Sequence, residues 1–211
     1  MTPTHKYEII DIINTIDITK AVGPHSIPSN ILHLIKDIIS EPLAEIINLS
    51  FETGIYIDNL KISKTIPIFK EKGSKFNRSN YIPTSLLLTN WKIVFKRLSS
   101  FLEINKCIYE LQFGFRKKHS TSHALLDLTE DVRNALDNSE FSAGVFIDLQ
   151  KAFDTVDHNI LIKKLEHYGI RGTCNNWFRS YLTERKQYVS INGFQSEKVN
   201  MEYGVYLSDL Y

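Results

Sequence analysis

Cysteine is scarce in this 211-residue chain: Cys107 and Cys174 are the two present, far apart and without a CxxC pair or Cys/His ligand spacing. Neither a disulfide framework nor a zinc site follows from them, and a reducing, intracellular setting (nucleus or cytoplasm) is expected. Long apolar runs are missing too. None approaches the roughly 20 residues that cross a bilayer, and Met1–Tyr7 lacks an apolar signal-peptide stretch, so neither membrane insertion nor secretion is expected. Internal repeats and low-complexity segments are also absent. What is present is a globular composition, 43% hydrophobic and 23% charged. That is enough for one good core or two small ones and is unlike a disordered tail.

The formal net charge of +1 conceals an asymmetry. Lys61 to Lys118 carries 13 Lys/Arg against 3 Asp/Glu, and the remainder carries 12 against 21. Phe69, Phe76, Tyr81, Trp91, Phe95, Phe113 and Phe115 interrupt this basic stretch. Cations that meet phosphates, interleaved with rings that stack on bases, suit a polyanionic partner; a solvated charged face is the plainer alternative.

Apolar residues at helical spacing predict a helix from Pro28 to Ile39, through Ile31, Leu34, Ile35 and Ile38. A second is predicted after Pro42 through Leu43, Ile46, Ile47 and Phe51, ended by Gly54 as a left-handed cap. Lys64–Phe69 reads as a short strand that Pro67 confines to an edge. Lys70–Asn80 reads as a polar, basic, exposed loop, carrying Lys72 and Lys75. Helices are predicted from Thr89 to about Asn105, and from Ser120 or Thr121 to Asn138 with Ala124, Leu125, Leu128, Val132 and Leu136 on its apolar face. Phe141–Leu149 alternates as a strand. A helix capped by Asp154 or Asp157 runs to Gly169, and Trp177, Phe178, Tyr181 and Leu182 form another short one. Gln187–Ile191, Asn192-Gly193 and Phe194–Met201 give a hairpin. The class is α+β.

AGVFIDLQKAFDTVDH (Ala143–His158) is the stretch richest in chemistry. An apolar strand ends in Asp148, where a hard oxygen ligand for Mg²⁺ could sit, although two-metal phosphoryl transfer needs carboxylates from at least two segments. On the residues alone, a carboxylate making a cap or turn is the plainer reading of Asp148.

FIDLQKAFDTVDH resembles motif A of the reverse transcriptase palm in non-LTR, LINE-type, jockey-like retrotransposons. Other blocks resemble the same family in the same order. They are GPHSIPSNILHLI (Gly23–Ile35), LKISKTIPIFKEKGSKFNRSNYIPTSLL (Leu60–Leu87), LQFGFRKKHSTSHALLDL (Leu111–Leu128), LIKKLEHYGIRG, and WFRSYLTERKQYVSINGFQSE. The resemblance implies an incomplete fingers-palm of a right-hand polymerase: a leader at 1–22, fingers at 23–140, partial palm at 141–205 and a tail at 206–211. It implies RNA-directed DNA polymerase ancestry, with RNA template, DNA primer and deoxynucleotides as partners and Mg²⁺ as cofactor. Asp148 takes the place of the catalytic metal ligand and Leu149 that of a backbone carbonyl ligand. Ala152 and Phe153 fall at the nucleotide, the Phe153 ring excluding a 2′-hydroxyl. Arg116 falls at the triphosphate or template backbone, and Lys117, Lys118, Lys72 and Lys75 at nucleic acid. His119, His123, His158 and His167 show no second-ligand pattern.

Three departures qualify the resemblance. Ile82 replaces an Arg of the family's NYRPISLL block, and Trp91–Leu102 is short. After Val205 neither the PQGS motif nor a YADD-like turn appears, and Asp209 has no Asp neighbour. The expectation is therefore a chain that does not polymerise DNA by itself; a noncatalytic RNA- or DNA-binding remnant is the alternative. A poorly folded product with uncovered sheet edges and apolar faces is the third.

Overall fold

Leu32, Ile39, Leu43, Ala44, Ile47 and Phe51 keep one helical stripe running through Pro42, and the chain follows that stripe without a break. The computed structural model describes residues 1–17, 27–69, 71–77, 80–85, 90–149 and 151–205, with backbone alone for 82–85 and 90–91. In it a single 25-residue helix, α2 (Ser29–Thr53), replaces the two predicted. A mid-helix proline removes one hydrogen bond and costs about 3 kcal/mol. Burying Ala44, Ile47 and Phe51 beyond it, and packing Leu32 and Ile39 before it, outweighs that loss. Gly54 ends the helix as predicted, at φ +69°, with the Thr173 carbonyl oxygen 2.9 Å from where a Cβ would stand.

A helix not anticipated, α1 (Lys6–Asn14), lies within the segment read as a leader. Ile9, Ile12 and Ile13 bury one face of it in the core, a spacing of three and four that marks it in the sequence. Thr4 N donates to Asn48 Oδ1 at 2.6 Å and Asn48 Nδ2 returns a bond to Thr4 O at 2.9 Å. Arg97, on α3 (Asn90–Ile104), donates to the carbonyls of Thr2 and Pro3 and pairs with Glu8 at 2.8 Å.

The remaining elements are a 3-10 turn (Asp58–Lys61), β1 (Ile62–Phe69), β2 (Tyr81–Ser85), α4 (Thr121–Asp137), α5 (His158–His167), α6 (Gly172–Leu182), β3 (Arg185–Ile191), β4 (Phe194–Gln195) and β5 (Val199–Met201). The sheet runs β2-β1-β3-β4, with β5 also on β3; β1 and β3 are parallel and the other pairs antiparallel. β1 is thus not an edge strand. Its pairing with β3 stops at Thr65, two residues before Pro67, so the proline meets only β2. Proline has no N–H to donate, and this one-sided position asks for none on the other side. Asn192 and Gly193, both at positive φ, turn β3 into β4 as the Asn-Gly signal predicted.

Trp177 on α6 centres the core. Its ring meets Phe51, Tyr56 and Phe178 edge-on at 5.3–5.7 Å, stacks on Tyr181 at 5.8 Å, and its Nε1 donates to Ser50 Oγ at 2.9 Å. Such ring pairs each contribute about 0.5–1.5 kcal/mol beyond the area they bury.

Two expected elements depart from this core. The helix α4 forms, with Ser120 as its cap, but none of its residues is buried. Leu125, Leu126 and Leu136 are each more than 60% exposed. Phe141–Leu149 forms no strand, and every residue in it is exposed. A strand exists only within a ladder. Both sides of β3 are occupied, and no described strand pairs with 141–149. Alternation marks which face a ladder would bury and cannot supply the ladder itself.

Candidate nucleic-acid and metal site

Asp148 stands exposed at the end of that irregular segment, with Leu149 beside it 71% exposed. Among the described residues no three His, Cys, Asp or Glu side chains come together in a way that could hold a metal ion. One solvated carboxylate does not fit a two-metal centre, which needs a second segment to fix both ions.

After it the chain turns sharply. Lys151 has φ +53°, Asp154 N donates to Lys151 O at 2.9 Å, and Asp157 Oδ1 caps α5 by accepting from Asn159 N and Ile160 N at 2.7 and 3.0 Å. Asp157, one of the two residues predicted for this role, is the cap. Residues 203–205 clamp the turn. Gly204 N donates to Val156 O at 2.8 Å and Val205 N to Phe153 O at 2.9 Å. His158 Nε2 lies 2.7 Å from Gly204 O, so that nitrogen carries the proton. Ala152 is exposed and Phe153 half-buried. The Phe153 ring meets Phe115 edge-on at 5.7 Å, which joins the turn to the loop holding Arg116, Lys117 and Lys118.

In that loop Lys117 and Lys118 are exposed, but Arg116 is directed inward. Its Nε and Nη2 donate to the two carboxylate oxygens of Glu103 at 3.0 and 3.1 Å, and its Nη1 to the Tyr109 and Glu110 carbonyls at 3.1 and 3.2 Å. The hydrogen bond from Arg116 holds the Glu103 carboxyl below its ordinary range, and the same bond raises Arg116. Nothing in the sequence spacing pairs residue 103 with residue 116, and the sequence reading missed it. Phe115 and Lys118 both adopt positive φ, as a tight loop of this kind requires.

Lys72 and Lys75 project from the loop between β1 and β2, on the far side of the hairpin register Phe69↔Tyr81. The structure therefore presents the predicted lysines in two exposed loops. The basic stretch of the sequence is divided among β1, α3 and these two loops, with Lys61 buried and Arg97 paired with Glu8, and one of the loops is linked through Phe115 to the turn after Asp148.

The chain is mixed α/β, with a small sheet, exposed basic loops and an irregular segment that ends in Asp148. Residues 69–209 match the family described as reverse transcriptase (RNA-dependent DNA polymerase), and the chain belongs to that family. More particularly, it is a relative of the polymerases of non-LTR retrotransposons. It is 30% identical, over 90% of its length, to the RNA-directed DNA polymerase from mobile element jockey of Drosophila melanogaster, covering 21% of that protein. The probable RNA-directed DNA polymerase from transposon BS of the same fly is 28% identical over 96% of this chain and 23% of its own length. The Retrovirus-related Pol polyprotein from type-1 retrotransposable element R2 of Popillia japonica is 23% identical over 67% of this chain. The resemblance to the reverse transcriptases of non-LTR retrotransposons is borne out at the level of the family, and the chain spans about a fifth of the length of these relatives.

Proposed function

We propose that these residues form the nucleic-acid-holding fingers, residues 23–140, and the first palm segment, residues 141–205, of an RNA-directed DNA polymerase acting in the nucleus or cytoplasm. The observation that carries this reading is the placement of Lys72, Lys75, Lys117 and Lys118 on two exposed loops in a chain matched to the family from residue 69 onward. The exposed apolar residues of α4 and of 141–149 support it, because they are patterned for burial against further palm structure. In this reading Asp148 supplies one carboxylate, and deoxynucleotide transfer with Mg²⁺ requires others from a further palm segment, in the same polypeptide or added in trans. Phe153 would face the incoming sugar once that palm is assembled. The 211 residues alone then bind an RNA template or primer and do not extend it.

Binding of a labelled single-stranded RNA across a salt series tests this, alongside primer extension with Mg²⁺. Affinity is expected to fall with salt, each Lys→Ala exchange among the four lowering the slope by about 0.7. Asp148→Asn should leave binding unchanged, with no extension in either protein. Salt-insensitive or absent binding sinks the reading, and extension abolished by Asp148→Asn overturns its noncatalytic part.

A further inference from the structure

We infer that Phe76 is a stacking platform for an unpaired base at the tip of the β1–β2 hairpin, with Lys72 and Lys75 holding the flanking phosphates. The inference rests on the nucleic-acid reading above and names the group that would make the binding selective for single strands.

Phe76 is fully exposed, at 102% of its reference area. Unlike the exposed rings of 141–149, it sits on a loop held together by its own hydrogen bonds. Phe76 N donates to Ser74 Oγ at 3.2 Å, Asn77 N to Ser74 O at 3.2 Å, and Asn80 Nδ2 to the same carbonyl at 2.8 Å. Tyr81 Oη donates to Lys75 O at 2.9 Å, which fastens the residue before Phe76 to the hairpin stem. Lys75 Nζ lies 5.8 Å from the centre of the Phe69 ring, itself 5.3 Å from that of Tyr81. The Asn80 side chain fills the space beside Gly73.

A loop ordered in this way holds the ring out in water, where it contributes no buried area to folding. Lys72 and Lys75, with Glu71 the one acid close in sequence, flank it with cations. A ring between cations matches a base between phosphates. Every base has a π-face to offer, but a duplex keeps its base faces stacked internally, so the arrangement favours single strands. An aromatic beside lysines would also suit an anionic membrane surface. A single ring offers little area for insertion, and membership of a polymerase family argues for nucleic acid instead.

The test is fluorescence anisotropy of a labelled 12-nucleotide single-stranded RNA, and of the blunt duplex of the same sequence, titrated with the 211-residue chain. Phe76→Ala is expected to weaken single-strand binding roughly tenfold with the salt slope unchanged, and to leave duplex binding as it was. Phe76→Trp should retain the affinity, and Lys75→Ala should lower the salt slope. Circular dichroism of Phe76→Ala should match the wild type, since the ring is fully exposed. Equal single-strand affinity for wild type and Phe76→Ala, or an equal loss on duplex, overturns the inference while leaving the broader reading intact. Loss of binding to phosphatidylserine-containing vesicles with RNA binding unchanged overturns it in favour of a membrane contact. Failure of the wild type to bind RNA at all removes the broader reading and the inference together.

Discussion

With Glu103 and the Tyr109 and Glu110 carbonyls as acceptors, the Arg116 guanidinium is oriented by its own surroundings, and a phosphate must compete with that cage. A bidentate fork to a carboxylate is the same geometry an arginine offers to a phosphate. The ion pair has a pH dependence of defined sign. Glu103 is held below its ordinary value of 4.5, chiefly by the Arg116 hydrogen bond, so its contribution is complete above that value and is lost as pH falls through the lowered one. Hydrogen exchange across Lys106–His119, corrected for intrinsic rates, should therefore rise in that acid range for the wild type. In Glu103→Ala it should already be high at neutral pH; equal protection in both would show that the pair does not order the loop. Gly204 makes the second residue-scale case. At φ +88° it leaves a Cβ 3.0 Å from the Asp154 carbonyl oxygen, so Gly204→Ala combines backbone strain with a clash against the turn that follows Asp148. A loss of about 1–3 kcal/mol in urea denaturation is expected, and an unchanged midpoint would contradict the clamp.

Among the elements, α4 separates local from tertiary information. A cap at Ser120 or Thr121, the amphipathic spacing and the length are all in the sequence, and the helix forms where they predict, with Ser120 as the cap. Its apolar side nevertheless meets no core. Replacing Leu125 and Leu126 by Lys should leave the unfolding free energy within about 0.5 kcal/mol, as for any exposed site, while lowering binding of a hydrophobic dye such as ANS. A large destabilisation would mean that the face is covered in solution. α2 shows the reverse case, where packing on both sides of Pro42 overrides a local helix breaker.

For the molecule as a whole, the helices α1, α2, α3, α5 and α6 contribute buried residues to one hydrophobic cluster that includes Trp177. Trp177→Ala removes four ring contacts and leaves Ser50 Oγ without the indole donor. A cost of about 3–5 kcal/mol is expected. Measured by circular dichroism, this should melt α2 and α6 together. Loss of one helix without the other would show two independent units.

Sequence alone determined the features that depend on near neighbours along the chain. These include the Asn192-Gly193 turn, helix starts capped by Ser120 or Thr121 and by Asp154 or Asp157, the Gly54 stop, and the ordered motifs from which the polymerase family was legible. Such signals act over a few residues and need no partner. The tertiary structure decided what depends on distant partners. It joined α2 across Pro42, placed β1 inside the sheet, paired Arg116 with Glu103, and left Phe141–Leu149 outside any ladder. Caps and turns are satisfied by the segment that contains them, whereas a strand, a buried face or an ion pair exists only when another part of the chain arrives to complete it.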